Sequence, residues 1–157
     1  MLDGAALVTG AAVAAVHFRE FTEEMAGLDV LGWAFVAPAF AWLAVTAAGP
    51  FVFLVRRVGR RSNEVEGPGD ELWMVLGLPW LIAGLLRSVS GNALDAENLL
   101  YGNALFVALF AASLFAFRGL LKDRSDAAVR RTWADRIGRV LAAAWPLQFG
   151  LGLMVTK

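Results

Sequence analysis

Five stretches of this chain carry almost no charge, and their lengths decide what the rest can be. They run from Leu2 to Phe18, interrupted only by Asp3, then from Leu31 to Val55, Leu72 to Leu86, Leu99 to Phe117 and Val140 to Val155. An α-helix rises about 1.5 Å per residue, so a hydrocarbon layer of about 30 Å takes roughly 20 residues to cross. The second and fourth runs pass this test outright. The third passes if it continues to Val89 while Arg87 snorkels to the headgroups from near the helix end. The fifth gains length from the helix that leads into it.

The first run is the least apolar. Its GAALVTGAAVAAV stretch is mostly Ala and Gly, which gain little from lipid, so insertion leans on packing against neighbours. Ala12-Val13-Ala14 resembles a signal-peptide cleavage site, but the segment before it carries Asp3 and no Lys or Arg. A secretory n-region is basic, so retention as a transmembrane or partly inserted helix is expected.

The expected fold class is therefore all-α: a polytopic membrane bundle of about five transmembrane helices over residues 2–18, 31–55, 72–89, 99–117 and 140–155. Residues 1–157 then form a single integral membrane domain. Composition agrees, with 59% apolar residues and charged residues reduced to 18%, against about 25% in a typical soluble domain. The absence of cysteine excludes a disulfide framework, a thiolate zinc site and a cysteine nucleophile. A single histidine, His17, excludes bis-histidine haem ligation within one chain.

Basic loops resist transfer across a bacterial inner membrane, and their distribution orients the spans. Arg56, Arg57, Arg60 and Arg61 follow the second run, and Arg118, Lys122, Arg124, Arg130, Arg131, Arg136 and Arg139 follow the fourth. Eleven of the fourteen basic residues thus belong to one side, and the loops of the other side carry Glu20, Glu23, Glu24, Asp29, Asp95 and Glu97. Loops 56–71 and 118–139 are expected in the cytoplasm, with the N-terminus inside and the C-terminus outside. The first loop is irregular, with Gly59, Gly67, Pro68 and Gly69. The second reads as an amphipathic interfacial helix running into the last span. Ser125 is its N-cap, Asp126 lies in its first turn, and Val129, Trp133, Ile137 and Val140 share one face. Arg56, Arg57, Arg130 and Arg131 are the expected lipid headgroup contacts.

Within lipid, small residues at helical spacing mark faces where helices approach closely. Ala104, Ala108, Ala112 and Ala116 form such a row in the fourth run, and Ala37, Ala41, Ala44 and Ala48 form another in the second. Pro38, Gly49-Pro50, Pro79 and Pro146 interrupt the backbone ladder, and a bend or break is expected at Gly49-Pro50. Trp33, Trp73 and Trp145 fall near span ends, as interfacial residues do. Trp42 and Trp80 lie deeper, where each indole N–H is expected to find a backbone carbonyl.

Charge is missing from the middle of every run, which speaks against an ion pump or proton-coupled carrier. The polar members, Thr9, Thr46, Tyr101, Asn103, Ser113 and Gln148, suit hydrogen bonds between helices. His17, with Glu20 and Glu24 on the same helical face, is the one candidate cofactor residue, as an axial ligand to a tetrapyrrole at the membrane edge. Carboxylate-bridged di-metal sites use two Glu-x-x-His units, so no metal site is expected. The cofactor, if any, is left open. Ser88 and Ser90 have no histidine nearby in sequence, and no nucleotide loop, nucleophile elbow or zincin helix occurs. The expected function is that of a non-catalytic subunit or scaffold in a larger membrane assembly. Its partners are the lipid bilayer and other subunits or copies of itself, with no nucleic acid. The alternative is a small homo-oligomeric channel or carrier for a weakly polar solute, lined by Tyr101, Asn103 and Gln148.

Overall fold

The computed structural model of the chain describes residues 2–25, 30–58, 67–90, 98–122 and 132–155. Among them there are six helices and no strand: α1 (Leu2–Met25), α2 (Val30–Ala47), α3 (Gly49–Val58), α4 (Pro68–Ser90), α5 (Asn98–Lys122) and α6 (Trp133–Val155). Three stretches are long and apolar enough to cross a membrane: Gly32–Val58, Pro68–Val89 and Gly102–Lys122. Gly4–His17 is a shorter apolar helix.

The first of these stretches is α2 and α3 in series, and the expected break lies between them. Pro50 has no N–H to give to the carbonyl of Thr46, and the ladder resumes as Val52 bonds the Ala48 carbonyl at 2.9 Å. The helix α4 packs against this break. A Cβ on Gly77 would collide with the Pro50 ring and the Thr46 carbonyl, so the approach of α4 to the α2–α3 joint depends on a residue without a side chain.

α4 touches every other helix and is the axis of the bundle. α4 and α6 run parallel, because their first turns meet and Trp80 and Trp145 meet again further along. The tightest crossing joins their starts, where a Cβ on Gly138 would strike the backbone of Gly69. The core follows from these crossings: Ala48, Val52, Leu72, Trp73, Leu76, Ala116, Ala134, Leu141, Ala142 and Trp145 are all buried. Most of them cluster toward the end of the bundle that carries Arg56.

Three expectations are corrected. The helix expected to run unbroken into the last span is interrupted at Thr132, which is not helical: α6 starts at Trp133, with Thr132 as its N-cap, the Thr132 hydroxyl accepting from the Asp135 amide at 3.1 Å. Ser125, Asp126 and Val129 lie outside the described residues. Trp73 and Trp145 are buried within the bundle instead of standing at its rim, and Trp73 donates to the Val45 carbonyl at 2.8 Å. The deep pair, Trp42 and Trp80, expected to bond backbone carbonyls, has indole N–H groups that are buried without a hydrogen-bond partner among the described residues. Burial goes with close helix crossings here, and these do not follow distance from the span ends.

Candidate functional site

Among the described residues, two constellations are each assembled from several helices. The first closes the end where α4 and α6 begin. Gly67 precedes Pro68 at the first helical position, where the missing proline N–H costs nothing, and Asp70 accepts from the Gly67 amide at 3.2 Å. Asp70 is also paired with Arg56 at 3.3 Å. The same arginine nitrogen donates to the Thr132 hydroxyl at 3.0 Å. Its guanidinium lies 5.4 Å from the centre of the Trp133 ring, which in turn meets Trp73 edge to face. Asp135, 1% exposed, accepts from the Gly69 amide at 2.8 Å and from Arg139 at 3.0 Å.

Two helix N-termini therefore converge on two buried carboxylates, where their exposed amides and dipoles favour negative charge. Both acids hold arginine partners, so this end is a closed clamp and not a free acid–base pair. Sequence reading missed Asp70, Asp135 and Thr132. The signal was present: Thr132 with Asp135 three positions on, and Gly67-Pro68 with Asp70, are helix-start patterns.

The second constellation lies deeper and is aromatic. Trp42 on α2, Trp80 on α4 and Trp145 on α6 gather so that Trp145 sits 6.2 Å from each of the other two rings. The Trp145 N–H donates to the Thr46 hydroxyl at 3.3 Å, and that hydroxyl donates to the Trp42 carbonyl at 2.8 Å. Phe149 continues the cluster, 5.8 Å from Trp145, and meets Phe106 and Phe110 of α5 edge to face. On the other side His17 is buried on α1 and packs against Trp80 with ring centres 5.1 Å apart. His17 Nε2 lies 3.0 Å from the Trp80 carbonyl, and a carbonyl only accepts, so Nε2 carries the hydrogen.

This bond bears on the cofactor expectation for His17. Ligation of a tetrapyrrole metal through Nε2 needs that nitrogen's lone pair, which the bond to Trp80 withholds. The helix face shared with Glu20 and Glu24 has no described side chains beyond His17.

The alanine rows are only partly inside. Ala104 and Ala108 are exposed, Ala112 is half-buried and Ala116 is buried; Ala37 and Ala41 are exposed, Ala44 is half-buried and Ala48 is buried. Within the chain, α5 packs with Leu109 and Ser113, each one residue round the helix from the expected row, and with Ala116, the last member of that row. The row's first half faces away from the bundle. Of the expected headgroup arginines, Arg56 turns inward to the clamp and Arg57 is exposed with its guanidinium over Phe53. Arg130 and Arg131 lie outside the described residues. Thr9 and Ser113 bond carbonyls of their own helices, Asn103 and Gln148 are exposed, and no side chain is described for Tyr101.

The chain matches no family model, no curated protein and no solved structure, so its functional reading rests on its own residues.

Proposed function

We propose that this chain is a multi-pass protein of a bacterial cytoplasmic membrane, a non-catalytic subunit or small scaffold of a larger membrane assembly. Its five passes are α1, the α2–α3 pair, α4, α5 and α6, with the N-terminus inside and the C-terminus outside.

The observation that supports this reading is the division between interior and exterior. The buried carboxylates, hydroxyls and imidazole are bonded within the chain, while the outward faces of α4 and α5 present large apolar side chains. Leu78, Ile82, Leu85 and Leu86 stand exposed on α4, and Phe106, Val107, Leu114 and Phe115 on α5. Such a surface suits lipid or neighbouring helices, and the exposed Ala104 and Ala108 leave room for a helix to come close. A second reading, a channel between copies, is favoured by Asn103 and Gln148, both exposed on the adjacent helices α5 and α6.

Reporter fusions after Arg61 and after Arg139 test the placement, and cytoplasmic signal is expected from both. Purification in a gentle detergent tests the role. Co-purifying membrane subunits support the scaffold, whereas a symmetric homo-oligomer that conducts solute in liposomes overturns it in favour of the channel.

A further inference from the structure

The clamp at the starts of α4 and α6 sorts charge as well as holding helices. Its carboxylates, Asp70 and Asp135, are buried and each is paired with an arginine, Arg56 or Arg139. These acids are withdrawn from the surface, whereas Arg57, Arg118, Lys122 and Arg136 stand exposed, with Glu71 as the one exposed acid among the described side chains of this end. The four cations share one level of the bundle. Arg57 follows Arg56, whose bonds to Asp70 and Thr132 bring the end of α3 to the starts of α4 and α6. Gly119, where α5 packs against Leu72 of α4, lies between Arg118 and Lys122. Arg136 belongs to the first turn of α6.

Local chemistry does not account for this collar. The dipole of α5 favours Lys122 in its last turn. Arg118, however, stands one turn earlier on the same face, and like charges at that spacing repel. Arg136 lies at the start of α6, where the helix dipole disfavours a cation. Both positions gain from an anion supplied from outside the chain.

The neighbours of the cations define what carries that anion. Leu114 and Phe115 are exposed one turn before Arg118, and Val140 is exposed one turn after Arg136, in each case toward the middle of the bundle. Trp133, also exposed, stands one turn before Arg136 at the level of the collar. Cations above apolar side chains match a negative headgroup joined to acyl chains, whereas a soluble anion matches the cations alone.

We propose that Arg57, Arg118, Lys122 and Arg136 form a docking surface for anionic phospholipid, with headgroups at the collar and acyl chains along the exposed faces of α5 and α6. Burial of Asp70 and Asp135 leaves the collar with an excess of positive charge, which attracts a net negative headgroup and repels the cationic end of a zwitterionic one. The surface rests on the membrane placement proposed above but not on the subunit role.

The test uses the full chain purified in a non-ionic detergent, with dioleoylphosphatidylglycerol and dioleoylphosphatidylcholine as probes, which share their chains and differ in headgroup charge. Native mass spectrometry counts the lipid retained. Phosphatidylglycerol is expected to be held more tightly, by about fivefold for each cation that it engages, and the preference is expected to fall as salt rises. Arg136→Gln, and Arg118→Gln combined with Lys122→Gln, are expected to weaken phosphatidylglycerol binding about fivefold per charge removed, with phosphatidylcholine unaffected. Glu71→Gln is expected to strengthen it, because it removes the exposed acid. All of these side chains are exposed, and an unchanged melting curve reports that each variant is folded.

The surface is overturned if the parent holds the two lipids equally, if the glutamine variants keep the parent's preference, or if Glu71→Gln weakens it. It is equally overturned if a photo-crosslinker at position 136 captures protein and no lipid in native membranes, since an acidic protein segment would then be the occupant. Because the reporter fusions test placement separately, an absent preference in a chain whose fusions report cytoplasm removes this surface alone.

Discussion

Asp135 accepts the backbone N–H of Gly69 at 2.8 Å, so a side chain in the first turn of α6 caps the first turn of α4 from 66 positions away. The bond exists because Gly138 lets the two helix starts come into backbone contact. Asp135 is nearly inaccessible and is also held by Arg139.

Loss of that carboxylate removes the buried acceptor that the Gly69 amide and Arg139 share. Asp135→Ala is expected to destabilise the protein by about 3–5 kcal/mol, the range for breaking a buried ion pair. Asp135→Asn keeps an acceptor oxygen for Gly69 and is expected to cost less. Denaturant unfolding followed by tryptophan fluorescence measures both, and equal stability of Asp135→Ala and the parent would remove the clamp from the account.

Close crossings and open helix faces respond oppositely to one added methyl group. Gly138→Ala must separate α6 from Gly69 and is expected to cost about 1–3 kcal/mol or more. Gly102→Ala meets nothing within 4 Å and is expected to be neutral or to stabilise α5 by up to about 1 kcal/mol through helix propensity. Melting temperatures of the two variants in the same detergent check the sign of the difference.

Leu109 is 7% exposed whereas its neighbour Ala108 is exposed. Leu109→Ala is therefore expected to cost about 2–5 kcal/mol as a cavity, while Ala108→Leu leaves the monomer's unfolding unchanged. Size measurement of Ala108→Leu is informative in its own right. A smaller particle than that of the parent would mark the outward alanine row as a contact with another chain.

Thr46 serves as the acceptor for Trp145. Thr46→Val keeps the shape and strands the indole N–H, at an expected cost of about 1–3 kcal/mol. Thr46→Ser keeps the hydroxyl and is expected to retain most of the stability. The test is whether serine behaves like threonine or like valine in thermal unfolding.

Much of the helical plan is legible before any packing is known, because it follows from local chemistry. Uncharged runs must form helices to satisfy their backbone groups in an apolar setting, and Pro50 interrupts the second run whatever it packs against. The helix starts at Pro68 and Trp133 are also written locally, in Gly67-Pro68 with Asp70 and in Thr132 with Asp135. What lies beyond local chemistry is rotation. Turning α5 by one residue exchanges Ala108 for Leu109 at the interface, and both faces are apolar, so the pattern of apolar residues does not choose between them. The same holds for the tryptophans. Trp73 and Trp145 obtain acceptors from α2 while Trp42 and Trp80 find none among the described residues, a difference set by which carbonyl or hydroxyl the neighbouring helix brings within reach. Asp70 and Asp135 are likewise ordinary helix-start acids in the linear chain. Only the glycine-mediated meeting of α4 and α6 puts them together out of water, because backbone contact between two helices depends on both surfaces at once.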